Sequence, residues 1–242
     1  MISGLSLNGK AVTSTTSIVE KQMVFKTTTT YLLGNNEPKC ILSPSRLRMP
    51  NSSYKILGYI PDISGHGNHG VIHNSAYAKG SGVNEDGSYQ FDGVDDFVTI
   101  PTLSRGGKQV LMKVNWESGY GKVLYDQRLY TSGLFAIITI SEAPAYEGGN
   151  GGGKTYIDGI LNKNILSKEL ASITHNITLN NNTVTNSNIF IGTDYAKMSY
   201  AKMALYDFML FENISTDDKI KELNEYVGIE GNTDDLFNET NI

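Results

Sequence analysis

The stretch "GSYQFDGVDDFVTIP", residues 87–101, decides how the chain is read. Three carboxylates, Asp92, Asp95 and Asp96, fall within five positions, between aromatic and β-branched segments that favour strands. Acids crowd in this way for three reasons: a catalytic pair, a metal site, or a tight turn joining two strands. A catalytic pair must face across a substrate cleft, with carboxyl groups about 5 Å apart in retaining glycosidases and about 6.5–9.5 Å apart in inverting ones. Side chains in a tight turn splay away from such a cleft, and no Glu-x-Asp-x-x-Glu run alternates along a strand here. A hairpin turn explains more: Gly93 can take positive φ, and Asp92 can cap backbone amides as an Asx-turn. A calcium site stays open as the second answer, because hard cations take carboxylate and carbonyl oxygens from Gly/Asn-rich loops.

Outward from this turn, short β-prone runs alternate with Gly, Asn, Asp and Ser, which is the all-β pattern. In "QVLMKVNW", Val110, Met112, Val114 and Trp116 share one face, which marks Trp116 as core. One helix is signalled near the end, in "NISTDDKIKELNEYVGIEG". Ser215 or Thr216 can cap it, Asp217 and Asp218 suit its first turn, and Ile220, Leu223 and Val227 recur on one face. Gly228 stands where a helix ends. The glycines of "EGGNGGGKT" precede strands rather than a helix, so they do not read as a phosphate-binding loop.

At 242 residues and 39 % hydrophobic, the chain can bury the core of one large β domain. Its net charge of −5 and scattered basic residues argue against nucleic acid as a partner. A single cysteine, Cys40, excludes an intrachain disulfide framework and any cysteine-rich zinc site. No apolar run is long enough to span a bilayer, and the first residues lack the basic and apolar regions of a signal peptide. Export, if it occurs, is expected by a signal-peptide-independent route. Residues 1–52 are rich in Ser and Thr and carry Pro38, Pro44 and Pro50, so they read as a β-rich arm suited to attachment or oligomerisation. The sandwich is expected over residues 53–230, with a tail at 231–242.

A second cluster, "PDISGHGNHGVIH" at residues 61–73, holds three of the four histidines. His66 and His69 have a tolerable spacing for zinc, but no helix presents them, and Gly65, Gly67 and Gly70 make an irregular loop. Histidines filling a turn is the simpler reading.

Together, "DISGHGNHGVIHNSAY" and "SYQFDGVDDFVTIP" resemble the opening of laminin-G-like, concanavalin A-like jelly-roll domains. "KTYIDGILNKN", "NIFIGTDY" and "AKMALYDFMLFENISTDDKIKELNEYV" resemble the later strands of those domains, in family order. The resemblance covers roughly residues 55 to 228. It implies an all-β, concanavalin A-like jelly-roll β-sandwich with one short C-terminal helix and an N-terminal β-rich arm. It also implies that Asp92, Gly93, Asp95 and Asp96 form a structural turn. No cofactor follows from the residues themselves, but some members hold a structural calcium. Carried over, that site nominates Asp62, Asn68 and Asp207.

With no catalytic constellation found, the expectation is a non-enzymatic structural or adhesion protein. A bacteriophage virion component leads (head fibre, capsid decoration or tail adhesin), anchored on other virion proteins through residues 1–50. It would sit at the virion surface as a homo-oligomer. The alternative is a bacterial surface lectin that binds glycans on exposed aromatics, for which Tyr120, Tyr125, Tyr130, Tyr146 and Tyr195 are the candidates. A glycoside hydrolase ranks third.

Overall fold

A computed structural model describes residues 6–7, 10–11, 36–101, 107–117, 121–127, 135–139, 147–148, 154–162, 172–180 and 187–227. Strand β9 (Gln109–Trp116) sets the core, as its alternation requires: Val110, Met112, Val114 and Trp116 are buried between two sheets. The first sheet has seven strands, in the order β12 (Glu147–Gly148), β11 (Phe135–Thr139), β10 (Lys122–Asp126), β16 (Ile189–Ile191), β8 (Phe97–Ile100), β5 (Gly70–His73) and β4 (Tyr59–Ile60). The second runs β14 (Ile160–Asn162), β13 (Thr155–Ile157), β15 (His175–Asn180), β9, β17 (Lys202–Phe211), β7 (Tyr89–Asp92) and β6 (Gly82–Val83), with β3 (Pro38–Leu42) added along β17. The ladders within both sheets are antiparallel. The chain is an all-β sandwich.

The turn at 92–96 differs from a hairpin. Strand β7 pairs with β6 and β17, whereas β8 pairs with β5 and β16 in the other sheet, so the turn carries the chain from one sheet to the other. Local chemistry makes the corner: Asp92 Oδ1 accepts the N–H groups of Val94 (2.8 Å) and Asp95 (3.3 Å), and Gly93 takes φ +80°. A Cβ on Gly93 would lie 2.8 Å from Cβ of Lys202, so the corner packs directly on the start of β17.

Residues 36–52, expected in the arm, belong to the sandwich. Cys40 and Leu42 enter the main core, while Ile41 joins a second core on the outer face with Leu111, Met209 and Phe211. Two short helices follow that the sequence does not signal, α1 (Pro44–Leu47) and α2 (Asn51–Leu57). Pro44 opens α1, where its missing N–H costs nothing. Of the rest of the expected arm, β1 (Ser6–Leu7) and β2 (Lys10–Ala11) pair with each other, and residues 12–35 lie outside the described residues, as do the tail and Gly228.

The C-terminal helix forms as α3 (Asp217–Val227). Thr216 Oγ1 accepts the Lys219 N–H, and Ile220, Leu223 and Val227 are buried against the sheet. A bulge in β17 between Leu205 and Asp207 shifts the strand's parity. Met203 and Leu205 face the core before it, Phe208 and Leu210 after it, and Asp207 is turned to the outer face.

Candidate functional site

The residues nominated for calcium do not form a cation site. Asp62 is buried, and each of its oxygens accepts two hydrogen bonds: Oδ1 from the Ile41 and Ser64 N–H groups (both 2.9 Å), Oδ2 from Ser64 Oγ (2.9 Å) and the Asn68 N–H (2.8 Å). A carboxylate has about four lone-pair sites, so none is left for a metal ion. Asn68 turns its amide nitrogen to the Lys39 carbonyl at 2.6 Å. Asp207 already has a cation, the Arg46 guanidinium at 3.3 Å, and takes Ser43 Oγ at 2.5 Å. Asp62 is thus a loop staple and Asp207 half of a buried ion pair.

The histidine loop is equally self-contained. His69 Nδ1 accepts the Asp62 N–H at 3.0 Å and its ring stacks on Tyr59 at 4.6 Å, while His66 Nδ1 meets Ser64 Oγ at 3.1 Å. Among the described residues, the one group of three acids, histidines or cysteines close enough to share an ion is Asp92, Asp95 and Asp96. Its carboxylates serve the turn: Asp92 Oδ1 caps it, and Asp96 Oδ2 accepts the Asp92 N–H at 3.0 Å. Burial raises the Asp96 carboxyl above its ordinary pKa, and the charges of Asp92 and Asp95 add to the rise.

Of the five tyrosines proposed for glycan contact, Tyr125 is core and donates its hydroxyl to Gln127 Oε1 at 2.7 Å. Tyr195 is half-buried, with its N–H on Asp126 Oδ2. Tyr120, Tyr130 and Tyr146 lie outside the described residues.

The structure instead assembles aromatic side chains on the outer face of the seven-stranded sheet. Strands β5, β8 and β16 alternate: Ile72, Val98, Ile100, Ile189 and Ile191 point into the core, so Val71, His73, Phe97, Thr99 and Phe190 point out. Register then lines them up. Tyr59 lies opposite Val71, Val71 opposite Thr99, Thr99 opposite Phe190, and His73 opposite Phe97. His73 stacks on Phe97 at 4.3 Å and 8°, with Nε2 2.8 Å from Thr99 Oγ1.

The segment between β16 and β17 folds over one end of this face. It brings the Tyr200 ring to 6.3 Å from Phe97 and the Lys197 ammonium to 5.4 Å over it. Phe97 is 4 % exposed although it packs in neither of the two core clusters. Tyr59, His69, His73, Phe190 and Tyr200 remain half-exposed around it. Composition alone does not reveal this surface, because its members are 141 positions apart in sequence (59 to 200) and only the ladder register joins them.

Desolvation, followed by the Lys197 charge, lowers the His73 pKa. A histidine whose pKa is lower folded than unfolded stays neutral in the native state while the unfolded chain already takes a proton. Its contribution is therefore full above the ordinary histidine range of about 6.5 and falls as the pH drops through it. The expected result is a smaller loss of thermal stability between pH 7.5 and 5.5 in His73→Gln than in the wild type. Equal losses would contradict it.

No protein-family model matches the chain, and no curated protein matches it. Solved structures do. A Trypanosoma rangeli sialidase in complex with the inhibitor DANA is 13 % identical with a TM-score of 0.51, covering 89 % of this chain and 39 % of its own. The same sialidase in complex with sialic acid gives 12 %, 0.50, 90 % and 40 %. A GH54 α-L-arabinofuranosidase lies further off, at 12 % identity and a TM-score of 0.41, covering 81 % and 60 %. At these identities the likeness is one of fold alone, a β-sandwich. The chain spans about two-fifths of the sialidases' length.

Two expectations fall here. These are a chain without enzymatic activity and a bacteriophage particle component anchored through residues 1–50. The structures matched at a TM-score of 0.50 or above are sialidases, which supports neither the exclusion of an enzyme nor a virion role. The physical reason is that one absent Glu-x-Asp-x-x-Glu run excludes a single arrangement of acids along a strand, not the enzyme class. Among the described residues no helix is long and apolar enough to cross a membrane.

Proposed function

We propose that this chain is a glycan-recognising unit of a glycoside-processing protein, built as a laminin-G-like, concanavalin A-like jelly roll. The observation that carries the reading is the half-exposed row on the outer face of the seven-stranded sheet. Tyr59, Phe190 and Tyr200 offer aromatic surface, and His73 and Thr99 offer polar groups between them. Sugars present apolar C–H faces to such rings and hydroxyls to such polar groups, and sites of this kind combine apolar lining with a few placed donors and acceptors. The sialidases of matching fold are named for action on a sugar, which agrees with this reading.

A glycan array followed by calorimetric titration tests it. The wild-type chain should retain at least one class of oligosaccharide. Tyr200→Ala and Phe190→Ala should each weaken binding by roughly 0.5–1.5 kcal/mol, up to about tenfold in Kd, with thermal midpoints close to the wild type. Binding unchanged in both variants would sink the assignment of this face. Release of reducing sugar from the retained glycan, assayed alongside, tells recognition from cleavage.

A further inference from the structure

We infer that this face selects acidic glycans, with Lys197 as the residue that meets the sugar's carboxylate or sulfate; the inference rests on the glycan reading above. Several lysines of this chain are neutralised by acids: Lys39 by Glu212 (2.9 Å), Lys154 by Asp217 (2.9 Å), Lys202 by Glu117 (2.6 Å) and Lys219 by Glu222 (2.6 Å). Lys197 stands outside that set, as Lys55, Lys79 and Lys108 do among the described residues. It makes no ion pair among the described residues, and its ammonium lies over the Phe97 ring. An ammonium carries three donors, and the face of a ring takes up little of that capacity. On a chain of net charge −5, such a cation at one end of an aromatic surface favours an anion at that place.

The turn that presents Lys197 is specifically built. Lys197 has φ +57°, a left-handed conformation disfavoured for an L-residue. Two bonds from Asp194 hold it there: the Asp194 carbonyl accepts the Lys197 N–H at 3.0 Å, and Asp194 Oδ1 accepts the Met198 N–H at 2.7 Å. The Asp194 carboxylate is buried and committed to capping this turn. Tyr200, three residues on, is half-exposed and borders the same ring. A sugar ring resting on Tyr200 would bring an acidic substituent toward the Lys197 ammonium, where a charge-assisted hydrogen bond forms.

The test titrates the full chain with three size-matched oligosaccharides: neutral, hexuronate-containing and sulfated. The wild type should bind one acidic ligand about tenfold or more tighter than the neutral one, with a preference that shrinks as salt rises. Lys197→Gln should lose the preference while binding the neutral ligand as before, and Lys197→Arg should keep it. Whichever acidic arm leads identifies carboxylate or sulfate as the group. An acidic preference that survives in Lys197→Gln, or a wild type that favours the neutral ligand, overturns the inference and leaves the glycan reading standing. No binding of any of the three, with none on the array, overturns both.

Discussion

Asp207→Ala lowers the stability of this fold by about 3–5 kcal/mol, the usual cost of leaving a buried charge without its partner. Both side chains of the Arg46–Asp207 pair are 2 % exposed, and they meet at 3.3 Å. Lys113 lies directly opposite Asp207 in the β9–β17 ladder and is also buried, with its ammonium 5.7 Å over the Tyr206 ring. Truncation would also strip Ser43 Oγ of its acceptor. Domains of ordinary stability hold about 5–15 kcal/mol in total, so the loss is a large share of it. Urea denaturation reads it as a fall in midpoint. Arg46→Met with Asp207→Leu should recover much of the loss, because removing both charges avoids the uncompensated one. A chelator should leave the wild-type midpoint where it is, since Arg46 stands where a metal would. A midpoint that drops with chelator but not with Asp207→Ala would reverse this account.

Gly192→Val should cost about 2–5 kcal/mol, from two sources that add. Gly192 has φ +88°, and a residue with a Cβ adopts that region at roughly 1–2 kcal/mol. A Cβ built there lies 2.9 Å from Phe91 Cδ1 and 3.4 Å from the Asp96 carbonyl, and overpacking a core typically costs about 1–3 kcal/mol. The backbone cannot swing away. The Gly192 N–H is bonded to the Leu124 carbonyl and its carbonyl accepts the Ala201 N–H, both at 2.9 Å. Gly67 supplies the control: φ is +76° but a Cβ there would meet nothing within 4 Å. Gly67→Ala should therefore lose only the conformational part. Equal losses at the two positions, measured by urea titration, would show that contact with Phe91 contributes nothing.

What was legible from the chain was local. The alternation of β9 and the spacing of Ile220, Leu223 and Val227 each mark a buried face from a few neighbouring residues, and burial follows them. The Asp92–Gly93 turn was readable because an Asx cap is made within three residues. What that turn connects was not, since a corner between sheets and a hairpin use the same local chemistry. Asp207 was nominated as a metal ligand by the family resemblance, and its partner Arg46, 161 positions away, was not legible beside it.

By itself, then, the sequence determined that this is a β-sandwich of short strands and tight turns closed by one amphipathic helix. Period-two and period-3.6 patterns are set by neighbours on the same segment. Tertiary structure decided which side meets the core where a strand's alternation is broken. Along "KMALYDFMLF", unbroken alternation puts Asp207 on the same face as Met203 and Leu205, but the bulge after Leu205 sends it outward to Arg46. The aromatic surface of Tyr59, His73, Phe97, Phe190 and Tyr200 arises in the same way. A strand's pattern defines two faces, and its register with strands distant in the chain, and the burial they impose, decides which residues each face brings together.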